Sequence, residues 1–553
     1  MTLERLKPGR AGPAGRHPLW LVLWASVWMA TAGNVALWRE LMQLGLLQGA
    51  RGVLFGLAVG VLLTALVSVV ATLFAWRGTL KPVLTLLLLA SAVTTHFMFT
   101  YRIVLDTSMV TNVLQTHPGE AVDLLNLRLA GTVLLLGVLP ALWLWRTPVR
   151  PVAVARRVLH NLGAVLLCFA VAAAAVLAAF QPLASALRNH HHVRYLANPL
   201  NLVNAFGQLA ARPLQRDESV LLPVAEDARL GPSYAAQARP PLIVLVLGET
   251  GRAGNFALNG YARPTTPALA LENVASFRNA WSCGTSTAAS LPCMFSHLGR
   301  DAFESRRFNH QNLLDVLQRA GLAVLWLDNQ AGCKGVCERI PAQSTQALAG
   351  DALCADGECL DEVLLRGLDE RIAGLPAERR ARGVVLVLHT MGSHGPAYYK
   401  RSPPAFKRFQ PECASTLLTD CPTEQIVNAY DNSIVYTDHV LASTIRWLKA
   451  QAAGFDAAMV YLADHGESLG ENNLYLHGLP YAVAPDVQKR IPWITWLSAS
   501  FERRSGATVA CLKERADVRF SHDHLFHSIL GLADLRTAVY RRELDVHAGC
   551  GAG

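Results

Sequence analysis

Charged residues make up only 16% of this 553-residue chain, and its mean hydropathy is +0.26. So low a charge content argues against an ordinary soluble enzyme of this length. Cysteine is also scarce in the first half, where only Cys168 precedes residue 283. The hydrophobic runs near the N-terminus lack rows of ionisable side chains, which disfavours a transporter. The composition therefore predicts a membrane part followed by a globular part.

Five apolar runs in the first third each approach the roughly 20 residues that a helix needs to cross a bilayer. They cover residues 19–38, 53–76, 82–101, 129–145 and 158–180. Buried helices of a soluble core are a poor alternative for five such runs in succession. We therefore predict a transmembrane domain of five helices over residues 1–180. Ala30-Thr31-Ala32 also fits a signal-peptidase site, so removal of the first run stays open.

The basic residues of the short loops predict the orientation of these helices. They precede the first run, separate the second from the third, and separate the fourth from the fifth: Arg5, Lys7, Arg10, Arg16, Arg77, Lys81, Arg146, Arg150, Arg156 and Arg157. Positively charged loops stay in the cytoplasm, which places loop 102–128 and everything after about residue 181 outside. These loops also account for much of the net charge of +9, so no nucleic-acid partner is expected.

A bridging segment over residues 181–240 follows the last run. Residues 193–209 predict a helix along the membrane surface. The triplet His190-His191-His192 is compatible with a metal site, but an exposed basic bridge is the more economical interpretation.

Short apolar runs after residue 240 predict strands at 242–247, 322–327, 384–388 and 457–462. Their alternation with helical segments is typical of a parallel sheet covered on both faces, here in a domain over residues 241–553. Ligands gather at the carboxyl ends of such strands. Side chains that can ligate a metal stand there: Glu249, His389, Asp464 and His465. Carboxylate and imidazole ligands together suit zinc.

The stretch 282–296 places three consecutive hydroxyls, Thr285, Ser286 and Thr287, between two cysteines. The residues that follow can open a helix. A hydroxyl in the first turn of a helix faces the positive end of the dipole, a setting that suits an anion and an alkoxide nucleophile. A nearby divalent ion would lower the pKa of that hydroxyl. The competing interpretation is a helix cap in an ordinary loop.

Three further polar residues lie in loops after strands. His394 and His477 could bind a second metal or a phosphate, and Lys334 is a candidate phosphate contact. Each of them, taken alone, is more often a surface residue.

Ten cysteines follow residue 280, eight of them in close pairs. The pairs are Cys283/Cys293, Cys333/Cys337, Cys354/Cys359 and Cys413/Cys421, with Cys511 and Cys550 left over. An oxidising compartment predicts disulfides. A structural zinc site at Cys333 and Cys337 is the alternative, but no second Cys or His pair lies nearby in the sequence.

Five stretches carry a family resemblance. They are L-G-E-T-G-R-A-G-N-F at 247–256, S-C-G-T-S-T-A-A-S-L-P-C-M-F-S at 282–296, H-T-M-G-S-H-G-P-A-Y-Y-K-R, N-A-Y-D-N-S and A-D-H-G-E-S-L-G-E. Together they resemble the lipid A phosphoethanolamine transferases, a family of the alkaline phosphatase/sulfatase superfamily that includes the mobile colistin-resistance enzymes. The resemblance covers nearly the whole chain.

This resemblance implies an inner-membrane enzyme, monomeric, with five transmembrane helices and a periplasmic α/β domain. It would transfer phosphoethanolamine from phosphatidylethanolamine to a phosphate of lipid A through a covalent phosphothreonine on Thr287, conferring resistance to polymyxins. The implied zinc ligands are Glu249, Thr287, Asp464 and His465, and a second zinc could lie near His394 and His477. The same chemistry on the lipopolysaccharide core or another periplasmic acceptor is the alternative.

The resemblance also implies substrate contacts and disulfide pairs. Asn329, Lys334, His394 and His477 would line the phosphate site. Asn112, Thr116 and Glu120 of loop 102–128 would contact the phosphoethanolamine. The implied disulfides are Cys283–Cys293, Cys333–Cys337, Cys354–Cys359 and Cys413–Cys421, with Cys511–Cys550 as a fifth.

Two details of the sequence limit the comparison with known families. Gly254 stands where the phosphoethanolamine transferases usually carry an aspartate, which affects the support of that loop and not the expected ligands. A sulfatase would need the C/S-x-P-x-R pattern that yields formylglycine, and no cysteine or serine begins that pattern here. A sulfatase activity is therefore disfavoured.

Overall fold

The computed structural model describes residues 15–115, 124–236, 239–345, 350–355 and 357–550. The chain divides into two compact units. The first comprises Met1–Asp106 and Leu125–Gly207, and the second comprises Thr107–Leu124 and Gln208–Gly553. The segment Thr107–Leu124 falls within the predicted transmembrane domain in the sequence but is grouped with the second unit.

Five helices of the first unit are long and apolar enough to cross a membrane. Their bounds are Pro18–Gln43, Gly49–Leu73, Leu80–Thr100, Leu127–Arg146 and Val154–Ala178. Many of their large apolar side chains are exposed, among them Leu57, Leu86 and Leu166. Contact of such an apolar surface with lipid is favourable, whereas its contact with water is unfavourable. The prediction of five apolar helices is confirmed.

The first of these helices is interrupted by a 3₁₀ turn at Ala32–Asn34. Asn198 satisfies the backbone at this turn: its Nδ2 donates to Gly33 O at 2.8 Å, and its backbone N–H donates to Asn34 Oδ1 at 2.9 Å. Both asparagines are buried. Polar groups freed by an interrupted helix must find partners inside the protein when lipid surrounds it, and Asn198 supplies them.

Two helices, Phe180–Asn189 and Leu200–Gln215, follow the last membrane helix. We call the second one the juxtamembrane helix. The predicted helix over 193–209 is wrong at its start, because residues His191–Leu196 form a 3₁₀ turn and Pro199 precedes the new helix. Proline lacks the N–H that a helix interior requires, and it disfavours helical backbone in the residue before it. His192 pairs with Glu40 at 2.8 Å.

The second unit is built on an eight-stranded sheet. Its strands are β1 (Pro241–Gly248), β2 (Val274–Trp281), β3 (Ala323–Asp328), β4 (Ala342–Ser344), β5 (Val384–His389), β6 (Asp456–Ala463), β7 (Arg490–Leu497) and β8 (Phe520–Ser521). Their spatial order is β8-β2-β7-β6-β1-β5-β3-β4. β7 runs antiparallel to both of its neighbours, and every other neighbouring pair is parallel. The predicted mostly parallel sheet is confirmed.

Every residue of β1, β5 and β6 is buried, because helices cover both faces of the sheet. Successive side chains of a strand point to opposite faces. In β1, accordingly, Val244 packs in a cluster with Tyr430 of the long helix Thr423–Ala450. Its neighbour Leu245 packs in the other cluster, with Leu291 of the helix Thr287–Met294. The helix Thr287–Met294, which we call the Thr287 helix, thus lies on one face of the sheet.

Candidate metal and nucleophile site

The ends of two adjacent strands bring three candidate ligands together. β1 and β6 are parallel and in register up to Gly248 and Ala463. The next residue of each strand is a carboxylate, Glu249 or Asp464, and His465 follows the latter. All three side chains are at most 1% exposed. Two acidic side chains buried side by side are costly unless a positive charge accompanies them.

The ligand atoms of these residues converge. His465 Nε2 lies 3.2 Å from Glu249 Oε1 and 3.3 Å from Asp464 Oδ2. None of the three atoms has a hydrogen-bond partner in the described part of the chain. His465 Nδ1 contacts Gly466 O at 2.9 Å and must be the donor, since a carbonyl only accepts. In the neutral imidazole this leaves the Nε2 lone pair free, as metal-binding histidines require. The donor set fits a divalent cation.

The charges of the three groups are strongly coupled. Burial and the nearby Glu249 carboxylate together raise the pKa of Asp464 to about 7. Burial alone would lower the pKa of His465, but the Asp464 and Glu249 carboxylates raise it to about 10. Burial works against ionisation of Glu249, yet the adjacent His465 side chain holds the pKa of Glu249 well below the usual range. Without a cation, the cluster therefore retains protons to balance its charge, and a bound cation would take over that role.

Thr287 is the first residue of its helix, and its Oγ1 donates to Glu249 Oε2 at 2.8 Å. The other two hydroxyls of the stretch are placed differently. Thr285 Oγ1 donates to the backbone oxygen of Leu479 at 2.6 Å. Ser286 precedes the helix, and its Oγ has no hydrogen-bond partner among the described residues. Thr287 is therefore the hydroxyl of this stretch that contacts the ligand cluster.

A buried histidine that the sequence patterns did not single out joins the Thr287 loop to the ligand strand. Cys283 N donates to His522 Nδ1 at 3.0 Å, so His522 Nε2 carries the proton that it donates to Ala463 O, also at 3.0 Å. Burial lowers the pKa of His522 to about 4. The imidazole is therefore neutral at neutral pH, as this pair of bonds requires, and it fixes the spacing between the Thr287 loop and Asp464.

The structure places Gln330 at the cluster and its neighbour Asn329 elsewhere. Gln330 Nε2 donates to Glu249 Oε2 at 3.0 Å. The amide nitrogen of Asn329 instead donates to Asp361 Oδ1 at 2.8 Å and to a backbone oxygen, and its Oδ1 accepts from Thr345. Sequence reasoning missed Gln330, because the stretch D-N-Q-A-G-C-K does not indicate which amide turns inward.

The two candidate histidines lie beside the cluster. The His477 ring is 4.3 Å from the His465 ring and 5.8 Å from the His394 ring, centroid to centroid. His477 Nδ1 also lies 3.2 Å from the buried Glu467 carboxylate. His389, by contrast, pairs with Asp328 Oδ2 at 3.1 Å and is not one of the converging ligands.

The helix Thr107–Gln115, which we call the loop helix, packs against the Thr287 helix. It carries Asn112, while Thr116 and Glu120 lie outside the described residues. Gly478, which follows His477 and has φ +88°, allows the loop helix to come close. A Cβ at position 478 would stand 2.2 Å from Cε of Met109 in that helix. Lys334 Nζ donates to Gln115 O at 3.0 Å. The structure thus joins the candidate lysine to the segment that carries Asn112.

Five disulfides connect the loops of the second unit. Four are the expected pairs, and the fifth is Cys511–Cys550. Cys283–Cys293 closes a ring that contains Thr287 and most of its helix. Cys333–Cys337 holds the turn that carries Lys334. The alternative of a zinc site at Cys333 and Cys337 is therefore wrong.

Comparison with known proteins decides the family. The family model described as Sulfatase matches residues 241–535, and the model described as Phosphoethanolamine transferase EptA/EptB matches residues 63–214. Phosphoethanolamine transferase EptA of Escherichia coli (strain K12) is 39% identical over 540 residues, which are 96% of each chain. The chain belongs to the phosphoethanolamine transferases.

Other relatives of this phosphoethanolamine transferase match over similar lengths. Phosphatidylethanolamine transferase Mcr-1 of Escherichia coli is 36% identical over 94% of this chain and 95% of its own. The solved structure of the integral membrane protein lipooligosaccharide phosphoethanolamine transferase A (EptA) from Neisseria meningitidis has a TM-score of 0.90 and is 35% identical. Their alignment covers 97% of this chain and 99% of that chain. The phosphoethanolamine transferase therefore shares both units with a solved membrane enzyme.

Proposed function

We propose that this enzyme transfers phosphoethanolamine from phosphatidylethanolamine to a phosphate of lipid A. The observation that carries the proposal is the hydrogen bond from Thr287 Oγ1 to Glu249 Oε2, 2.8 Å long, at the edge of a buried carboxylate–histidine cluster. Mcr-1 is named a phosphatidylethanolamine transferase, and two other relatives, the Kdo(2)-lipid A phosphoethanolamine 7''-transferases, name lipid A itself. The protein works as a monomer in the bacterial inner membrane, with its second unit in the periplasm.

The cluster of Glu249, Asp464 and His465, with Thr287 as fourth ligand, holds one zinc ion. Three observations support this assignment: the converging atoms have no hydrogen-bond partners among the described residues, Nδ1 of His465 contacts Gly466 O and leaves Nε2 facing the site, and two carboxylates share a buried space. When bound, the ion would lower the pKa of the Thr287 hydroxyl and neutralise charge on the phosphoryl group. His394 and His477 offer imidazole ligands for a second zinc beside it.

Thr287 acts as the nucleophile in the first half of the reaction. Its Oγ1 bonds to the phosphorus of the donor head group, and the bond from phosphorus to the glycerol oxygen breaks. The hydroxyl proton passes by way of Glu249 Oε2 to that oxygen, which leaves as diacylglycerol. A covalent intermediate splits the transfer, so the donor and acceptor lipids use one site in turn.

In the second half, an oxygen of a lipid A phosphate bonds to the same phosphorus, and the bond to Thr287 Oγ1 breaks. The proton of the acceptor phosphate passes by way of Glu249 Oε2 to Thr287 Oγ1 and restores the hydroxyl. Lys334, His394 and His477 face the transferred phosphoryl group and offset its charge. Asn329, which is held by Asp361, contributes to the phosphate site. Asn112 contacts the ethanolamine from the loop helix. Thr116 and Glu120, which lie outside the described residues, are proposed as ethanolamine contacts by family resemblance alone. The added amine masks negative charge on lipid A, and cationic peptides such as polymyxins then bind the cell surface more weakly.

Mass spectrometry of lipid A tests the acceptor. We expect lipid A from cells that express the protein to gain one phosphoethanolamine, with a rise in polymyxin resistance. Cells that carry Thr287→Ala at equal abundance are the control and should show neither change. If the phosphoethanolamine appears on the lipopolysaccharide core and lipid A stays unmodified, the alternative acceptor replaces the proposed one.

Gln330→Leu tests the support of Glu249. The substitution removes the hydrogen bond to Glu249 Oε2. Loss of a residue that holds a metal ligand in place typically costs about 10- to 100-fold in metal affinity or activity. Zinc retention against a graded chelator and the transfer rate measure the effect. Gln451→Leu is the matched control, because that glutamine is partly buried and donates to Asp369, which is not one of the proposed ligands. Equal zinc retention and equal rates in both variants would remove Gln330 from the site.

A further inference from the structure

Four arginines gather at the beginning of the second unit, in residues to which the proposed mechanism assigns no role. They are Arg212, Arg216, Arg306 and Arg307. Arg212 lies in the last turn of the juxtamembrane helix, and Arg216 follows its end. The other two precede the strand Phe308–His310. Strand pairing brings the two segments together, because Asp217–Leu222 runs parallel to Phe308–His310 and Asp217 N donates to Arg307 O at 2.9 Å.

Positive charge exceeds negative charge in this arginine cluster. Glu218 Oε1 lies 3.2 Å from Arg212 Nε and 3.7 Å from Arg216 Nε, so one carboxylate serves two guanidinium groups. Asp217 is the other acidic group at this edge, and its Oδ1 accepts from both the hydroxyl and the backbone of Ser219. Four guanidinium groups and two carboxylates leave an excess of positive charge, which an added anion would neutralise.

The neighbouring cations also act on one another. Burial, together with the charges of Arg216 and Arg212, lowers the pKa of Arg306 to about 9. The pKa of His310 is lowered by burial as well, with Arg306 and Arg216 adding to the shift. The part of the Arg306 shift that comes from Arg216 and Arg212 reflects repulsion between neighbouring guanidinium groups. An anion placed among them would remove that penalty and form charge-assisted, bidentate hydrogen bonds.

The juxtamembrane helix argues for an anion that belongs to a lipid. It follows the last membrane-crossing helix in the chain, and its Phe206 is 50% exposed. An exposed aromatic side chain together with basic residues at the end of the same helix is typical of a helix that lies at a membrane surface. Arg212 and Arg307 are themselves partly or fully exposed, so the cluster is open on one side.

We propose that the arginine cluster binds the phosphate of an anionic lipid head group in the membrane leaflet that faces the second unit. The bound lipid ties the start of the second unit to the bilayer surface. This surface is independent of the Thr287 chemistry, since none of its four arginines is a proposed ligand or substrate contact. Basic residues near an anionic bilayer contribute additively to binding.

Native mass spectrometry of the full-length protein in a neutral detergent tests the proposal. Phosphatidylglycerol is titrated, and the dissociation constant is taken from the lipid-bound populations. We expect Arg216→Gln/Arg306→Gln to weaken phosphatidylglycerol binding by roughly 30-fold. Phosphatidylcholine, which carries no net charge, should bind weakly and to the same extent to the wild type and to the double variant. Inorganic phosphate at millimolar concentration should not displace the lipid from the wild type.

Two further variants keep the result unambiguous. Arg216 and Arg306 also donate hydrogen bonds to Asn309 Oδ1 and Phe303 O, so their replacement could disturb the local structure. The double variant Arg212→Gln/Arg307→Gln removes more exposed side chains. It checks that weaker lipid binding results from the loss of charge. This variant should weaken phosphatidylglycerol binding by a similar factor without changing the melting temperature of the protein. Arg446→Gln, on the long helix Thr423–Ala450, is the matched control and should bind as the wild type does. Unchanged phosphatidylglycerol binding in both double variants, or displacement by inorganic phosphate, would overturn the proposal.

Discussion

Thr287→Ala is expected to abolish phosphoethanolamine transfer while leaving the fold and the other three proposed zinc ligands in place. The change removes the only hydroxyl of the stretch that contacts Glu249 in the described structure. Loss of a nucleophile lowers turnover by roughly 1,000-fold or more. Alanine is a good first residue for a helix, so the cost in stability is that of one hydrogen bond to a carboxylate, about 1–3 kcal/mol.

Peptide mapping gives the sharper measurement of this prediction. Wild-type protein incubated with donor lipid and no acceptor should carry one phosphoethanolamine on the peptide with Thr287. Thr285→Ala is the matched control, because its hydroxyl donates to Leu479 O and not to the cluster. It should retain at least partial activity and the same modified peptide. An adduct on Thr285 or Ser286, or full activity of Thr287→Ala, would assign the nucleophile to another hydroxyl.

His465→Ala is expected to release zinc and to lower activity with it. The substitution removes the imidazole and leaves Glu249 and Asp464 facing each other across a buried space. Removal of a direct ligand should weaken zinc binding by more than the roughly 100-fold loss that follows removal of a residue hydrogen-bonded to a ligand. Without a neighbouring cation, the two carboxylates then share protons, as the raised pKa of Asp464 already indicates.

Elemental analysis after dialysis against a chelator measures the zinc that remains. His439→Ala is a suitable control, since that histidine lies on the surface of the helix Thr423–Ala450 and contacts Glu362. We expect one zinc in the control and a large deficit in His465→Ala. Full zinc content with unchanged turnover in His465→Ala would remove His465 from the ligand set.

The strands that carry the ligands were predictable because each is a continuous apolar run that ends in a polar residue. β2 and β7 were not. β2 alternates buried and partly exposed residues and has no such run. β7 contains Pro492, which argues against a strand interior, and the structure accommodates it where the pairing register with β2 shifts between Ile491 and Trp493.

The site was predictable to a similar extent and for similar reasons. Glu249 and Asp464 follow directly from strands that lie side by side, so the sequence alone indicates their proximity. Gln330 and His522 meet the cluster through contacts that span 81 and 59 residues of chain, to Glu249 and Ala463. Contacts of such long range leave no local pattern. Thr287 was distinguished from its two neighbouring hydroxyls by family resemblance and not by any property of the stretch.

The ring closed by Cys283 and Cys293 bears on when the protein can become active during its biosynthesis. The chain leaves the ribosome in a reducing cytoplasm, where this bond does not persist. Until the bond forms, the loop before Thr287 is held mainly by hydrogen bonds such as those to His522 and Leu479. Oxidation after export therefore completes the placement of Thr287. The fully cross-linked loop around Thr287 therefore forms only outside the cytoplasm.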